Sequence, residues 1–215
     1  MSMQERTTRA LYDIQSAFYD RTFGALVQRH IRRAISHMDI RDSDNVLDIG
    51  IGTGAALQYY PANGHIVGID LSGGMLRECR KRMSDLQRNN VTIVQGNALD
   101  LPFAENTFDQ VFISHVISVV SDPFMLIREA QRVTKPNARI VIVNHFQSTN
   151  ALVATVEKWL CPLCNKLGWR SDLALSEVIR QTNVQIDYRY KLENIDLWET
   201  VVICNNKSMV GKAAA

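Results

Sequence analysis

A chain of 215 residues, 46% apolar and 21% charged, has the composition of one soluble globular domain long enough to bury a sizeable core. A formal net charge of +2 says little about partners by itself, though no nucleic-acid partner is expected, and no apolar run approaches the roughly 20 residues that a bilayer span requires. Glu5, Arg6 and Arg9 interrupt what a signal peptide would keep apolar, and Cys79, Cys161, Cys164 and Cys204 are too scattered for a secreted disulfide scaffold, so the expected location is the cytoplasm.

Residues 1 to 41 carry seven Lys/Arg against four Asp/Glu. In a first helical stretch Leu11, Ile14 and Phe18 share a face, with Arg6 and Arg9 nearby; this stretch packs on the domain or lies on an anionic membrane surface. In a second, Phe23, Leu26, Val27, Ile31, Ala34, Ile35 and Met38 follow the helical period while Arg29, Arg32 and Arg33 fall on the other side. That pattern predicts a helix packed on the domain with a basic face toward water.

The segment from Asn45 to Ser72 organises the rest. Val46, Leu47 and Ile49 read as a buried strand that ends at Gly50, Gly52 and Gly54, three glycines that let the backbone bend and a ligand approach it. Thr53 is placed to cap a helix over residues 54 to 60, whose amides would face that ligand. A second strand, His65 to Ile69, delivers Asp70 about twenty residues beyond Gly50, where a βαβ unit presents an acid to ribose hydroxyls. Gly50, Gly52 and Ala55 also satisfy the looser dinucleotide fingerprint, which leaves an NAD-dependent oxidoreductase open. Asp48 argues against it. Like charges about 4 Å apart cost on the order of 4 kcal/mol at an effective dielectric near 20, so a carboxylate here opposes a pyrophosphate. The same carboxylate favours S-adenosylmethionine, which has no phosphate and carries a sulfonium and an ammonium.

Ser72 reads as the N-cap of a helix to about Leu86 with Met75, Leu76, Cys79 and Met83 on its buried stripe. Val91 to Val94 is a third strand, followed by Gly96, Asn97 and Ala98. Phe108 to Ser114 is a fourth, leaving through Ser114, His115 and Val116 at the strand end where ligands of open α/β sheets collect. Asp122 and Pro123 open a further helix. Pro136-Asn137 marks a turn needing positive φ, and Ile140 to Val143 forms the fifth strand, delivering Asn144, His145 and Phe146. Val184 to Tyr190 and Trp198 to Cys204 supply the last two strands, antiparallel at the sheet edge.

The series D-I-G-I-G-T-G, G-I-D-L-S, G-N-A-L-D-L-P-F, F-D-Q-V and R-V-T-K-P, from about Asn45 to His145, resembles that of class I S-adenosylmethionine-dependent methyltransferases. The resemblance implies an α/β, Rossmann-like doubly wound sheet of about seven strands, mostly parallel with an antiparallel edge strand and with helices on both faces. It implies one domain over residues 1–207, its N-terminal helices at 1–41 covering the cofactor site, and a frayed tail at 208–215. Cofactor contacts are then expected from Asp48, Gly50, Gly52, Thr53, Gly54, Asp70, Leu71, Met75, Asn97, Ala98, Ser114 and His115. Asn97 stands where the family usually carries an acid for the adenine amino group; its amide can donate to and accept from an adenine edge. The resemblance also favours Tyr19 over the cofactor, its ring face toward the sulfonium and its hydroxyl toward the acceptor amine.

A narrower likeness covers about a tenth of the chain. V-N-H-F at Val143 to Phe146, L-G-W-R-S-D at Leu167 to Asp172 and the F-Y-D-R-T-F-G region are similar to the bacterial phospholipid N-methyltransferases, which convert phosphatidylethanolamine towards phosphatidylcholine. This implies a monomeric enzyme peripherally associated with the inner face of the membrane. Tyr19 or His145 would accept the amine proton, and His145, Trp169 and Arg170 would meet the substrate, the arginine pairing its planar fork with a phosphodiester. Residues 150–170 suit an apolar lid. Cys161 and Cys164 have C-x-x-C spacing, but no second pair or histidine is close in sequence, so no metal is expected. Two other functions remain: methylation of a quinone-like or other small lipophilic acceptor, and a non-catalytic cofactor-binding, membrane-associated protein.

Overall fold

The computed structural model describes residues 19–146, 173–192 and 198–206, with side chains from Val27 onward. The expected first helical stretch, the lid, Cys161, Cys164 and the tail lie outside the described residues. The elements are α1 (Tyr19–Ser36), β1 (Asn45–Ile49), β2 (His65–Asp70), α2 (Gly73–Asp85), β3 (Val91–Gln95), β4 (Phe108–Ser114), α3 (Pro123–Val133), β5 (Thr134–Asn144), α4 (Leu175–Thr182), β6 (Gln185–Tyr190) and β7 (Glu199–Cys204).

The seven strands form one sheet in the order β3-β2-β1-β4-β5-β7-β6. Strands β1 to β5 pair in parallel, and β7 runs antiparallel to both β5 and β6. Because successive residues of a strand face opposite sides, the sheet feeds two cores. Leu47, Ile49, Val111, Ile113, Ile140 and Ile142 meet α3 and α4 on one face. Val46, Phe112, Val141 and Val143 meet α1 and α2 on the other. Burial on both faces is why these strands read as continuous apolar runs rather than as alternating ones. Strand order reverses between β1 and β4, and the carboxyl ends of those two strands therefore open a crevice.

The helices follow from local chemistry. Ser72 Oγ accepts from Met75 N at 3.0 Å to start α2, and Asp122 Oδ1 accepts from Phe124 N and Met125 N at 2.9 Å to start α3, with Pro123 at its first position. In α1, Val27, Ile31, Ala34 and Ile35, with Met38 just beyond its end, are buried while Arg29, Arg32 and Arg33 are exposed, as the helical period predicts.

Two expectations need correction. Residues 54–60 do not form an α-helix. Gly54 N, Leu57 N and Tyr59 N each bond a carbonyl three residues back, a run of tight turns. Gly54 enters at φ +79 and Pro61 follows Tyr60, leaving no room for an i−4 ladder. Strand β5 also begins earlier than Ile140. Its pairing with β4 jumps from Phe108↔Thr134 to Gln110↔Arg139, so the Pro136-Asn137 turn is absorbed as a bulge within the strand, with Asn137 at φ +63. The Asn205 side chain pins that bulge by donating to the carbonyls of Gln131, Thr134 and Lys135 at 2.9, 2.8 and 3.2 Å.

Candidate active site

The glycine turn is fixed to β2 rather than left open. Gly50 N and Ile51 N both donate to Ile69 O, at 2.7 and 3.2 Å, while Gly50 and Gly52 hold φ of +74 and +57. Gly52 N donates to Asp70 Oδ2 at 2.9 Å and Ser72 N to Asp70 Oδ1 at 2.8 Å. One carboxylate thus ties the turn after β1 to the cap of α2. A carboxylate has about four acceptor sites, so this anchoring is compatible with recognition of a vicinal diol.

Asp48, at the end of β1, is 1% exposed and borders the same cavity, which has a volume of about 170 Å³. Burial pushes its carboxyl up to about 7; Tyr60, whose hydroxyl donates to Asp48 Oδ2 at 3.0 Å, opposes the rise, and the negative Asp70 adds to it. A carboxylate whose folded pKa lies above its unfolded value costs stability as pH rises from about 4 to about 7, because the unfolded chain ionises first. Asp48→Asn is therefore expected to leave the stability of the cofactor-free chain near that of wild type at or below about pH 4 and to raise it at pH 8, as denaturant titrations at the two pH values will show.

On the far side of the turn, Leu71, Met75, Ala98 and Leu99 give the cavity an apolar slot beside Asn97. The Asn97 Oδ1 accepts from Leu99 N at 3.0 Å, so the acceptor end of the amide also closes its own turn. At the exit of β4, His115 adopts φ +60 and its N–H reaches Val143 O at 2.8 Å. Among the described residues, Ser114 Oγ and His115 Nε2 are buried without a hydrogen-bond partner, two orphaned polar atoms on residues that line the cavity. The His115 ring stands edge-on to Trp198 at 6.1 Å, and Trp198 leans on His30 of α1 at 5.3 Å. Burial, then the neighbouring His30, lowers His115 to about 4, so its imidazole is neutral at pH 7.

The structure brings Asp48, Gly50, Gly52, Thr53, Asp70, Leu71, Met75, Asn97, Ala98, Ser114 and His115 to one cavity. Gly54 does not line it: a Cβ there would meet Leu57 Cδ1 at 2.8 Å and Cys79 Sγ at 3.0 Å, so this glycine serves packing against α2. His145 is buried just past β5 and is likewise absent from the cavity wall. Tyr19 begins α1, but its side chain is outside the described residues, as are Trp169 and Arg170. Sequence reasoning missed Tyr60, and it missed Val27 and Ile31, which line the cavity from the buried stripe of α1.

Among the described residues the cavity wall contains two aspartates and neither lysine nor arginine. Such a wall repels a diphosphate and suits a nucleoside that carries positive charge. The glycine turn allows backbone approach, Asp70 has acceptor capacity for a diol, and the apolar slot has room for a flat base. Fold and site together define an α/β enzyme built for a cationic, phosphate-free nucleoside at its topological switch point. Comparison with known proteins specifies the class. Residues 47–142 match the family described as a methyltransferase domain. The phosphatidylethanolamine N-methyltransferase of Cereibacter sphaeroides is 34% identical over 171 residues, 79% of this chain and 84% of that protein. The demethylmenaquinone methyltransferase of Thermobifida fusca is 33% identical over 199 residues, 90% of this chain and 80% of that one. A solved methyltransferase from Aquifex aeolicus, described as SAM-dependent, matches with a TM-score of 0.67 over 89% of this chain and 97% of that one at 16% identity, a likeness of fold. The chain belongs to the S-adenosylmethionine-dependent methyltransferases.

Proposed function

We propose that the chain methylates the amine of phosphatidylethanolamine and of its methylated derivatives at a membrane surface, towards phosphatidylcholine. The observation that carries this reading is the 34% identity to a phosphatidylethanolamine N-methyltransferase across 84% of that protein's length. The V-N-H-F and L-G-W-R-S-D motifs support it. Among the described residues no helix is long and apolar enough to cross a membrane, and the reading places the enzyme at the surface of the bilayer, held by the N-terminal stretch with its basic residues.

When bound, S-adenosylmethionine supplies an electrophilic methyl carbon on a sulfonium. The chain's share of the work is alignment and exclusion of water, and such positioning supplies roughly 7–11 kcal/mol in favourable cases. The glycine turn and Asp70 fix one end of the cavity. Val27 and Ile31 of α1, with Val116, Val119 and Val120 after β4, present apolar side chains to it. An amine with a lysine-like pKa must shed its proton before attack, at a cost of roughly 4–5 kcal/mol at neutral pH. Tyr19, or His145 through water since it is not among the described residues of the cavity wall, is the proposed proton acceptor, with Trp169 and Arg170 at the lipid headgroup.

A second reading, methylation of a quinone-like acceptor, is favoured by the 33% identity to a demethylmenaquinone methyltransferase over 90% of this chain. Radiolabelled methyl transfer separates the two. Label entering phosphatidylethanolamine vesicles but not a demethylated naphthoquinol supports the lipid reading; the reverse pattern overturns it.

A further inference from the structure

We infer that Tyr60 is a positioning residue of cofactor capture, its phenol holding the Asp48 carboxylate in the state and orientation that meet the positive charge of S-adenosylmethionine. This concerns the cofactor half of the site and is independent of which acceptor is methylated.

Tyr60 is 3% exposed and does not line the cavity; it acts through Asp48, which does. Its hydroxyl donates to Asp48 Oδ2 at 3.0 Å. With Oδ2 accepting from the phenol, Oδ1 is the less occupied oxygen to meet a ligand. The phenol is fixed from two sides. Its ring stands edge-on to Phe112 at 6.4 Å, and Phe112 is the β4 residue paired in register with Asp48. Its main chain is clamped by Arg88, whose guanidinium donates to Tyr60 O and Pro61 O at 3.0 Å each. The donor therefore stays in place while the carboxylate changes charge.

Among the described residues no cation balances Asp48, and the ionisable groups facing it are Tyr60 from the turn segment, Asp70 from β2 and Cys79 from α2. The Cys79 thiol is pushed up to about 12, chiefly by burial, and is neutral. Arg82 of α2 donates to Thr53 Oγ1 at 3.5 Å. A buried carboxylate with an acid for a neighbour and no basic partner is easily protonated, and in that form it offers the cofactor no charge. The Tyr60 hydrogen bond acts against protonation. Removing it should weaken binding where Asp48 is protonated and leave binding unchanged where Asp48 is ionised in any case.

The test is isothermal titration of S-adenosylmethionine into wild type and Tyr60→Phe at pH 6.0 and pH 8.5, read as the ratio of the two affinities at each pH so that ionisation of the ligand cancels. A rise of about one pKa unit in Asp48 predicts a loss of about tenfold at pH 6.0 and less than twofold at pH 8.5. In an Asp48→Asn background the same substitution should cost nothing further. Equal losses at both pH values, or a loss that persists beside Asp48→Asn, would assign Tyr60 a merely structural part and overturn the proposal. Should Tyr60→Phe fail to fold, the wild-type protein supplies the reading. Titrations at pH 6.5 in buffers of different ionisation enthalpy should show protons released on binding, and release that is unchanged in Asp48→Asn overturns the proposal equally.

Discussion

Asp70→Ala is expected to weaken S-adenosylmethionine binding by about a hundredfold to ten-thousandfold while leaving a folded protein. Two causes add. A hydrogen bond to a charged group contributes about 1.5–3 kcal/mol, and a carboxylate gripping a ribose diol makes two. The same carboxylate accepts from Gly52 N and Ser72 N at 2.9 and 2.8 Å, so its removal also frees the turn that the ligand has to meet. Asp70→Asn keeps the size of the side chain but replaces one acceptor oxygen with a donor, which then opposes one of the two backbone N–H groups. Its loss should fall between those of Ala and wild type. Calorimetric titration gives the affinities and thermal unfolding the fold control. A loss below about fivefold for Asp70→Ala would mean that the ribose is held elsewhere.

What the sequence disclosed about this site was its local chemistry. Gly50, Gly52, Asp48, Asp70 and the Ser72 cap fall within 25 positions of one another, and each reports a backbone conformation or charge that a short window determines. What it hid lies across the sheet or between elements. Tyr60 belongs to a segment whose pattern suggests a helix, and only the tight turns set by Gly54 carry its hydroxyl back under β1 to Asp48. The stack of His30, Trp198 and His115 joins residues from three distant parts of the chain, and no spacing rule encodes it. His145 illustrates the converse. Its position after a strand end suggested the cavity, yet His145 is buried there and is not among the described residues that line the cavity wall. Val27 and Ile31 were legible as core and not as site, because an apolar helical stripe looks the same whether it covers a sheet or a ligand.

Gly50 offers the sharpest separation of backbone strain from steric clash. At φ +74 an alanine pays about 1–2 kcal/mol for the left-handed conformation alone. Its Cβ would also stand 2.1 Å from Val116 Cγ2, a distance at which something must move. Val116 has little room to give: its carbonyl accepts from Val119 N and Val120 N at 2.9 and 3.2 Å, and a β-branched side chain has few alternative rotamers. Overpacking of this kind costs about 1–3 kcal/mol more, so Gly50→Ala should destabilise the chain by about 2–5 kcal/mol. Gly52 is the internal control. It sits at φ +57, but a Cβ there would find nothing nearer than Gly50 O at 3.9 Å, and Gly52→Ala should cost only the backbone term of about 1–2 kcal/mol. Adding Val116→Ala to Gly50→Ala should recover the steric part and leave the strain, a coupling that urea denaturation of the two single variants and the double variant will measure. If Gly50→Ala and Gly52→Ala prove equally destabilised and Val116→Ala restores nothing, Val116 does not crowd the turn, and the walls of the cavity between β1 and β4 are looser than their geometry implies.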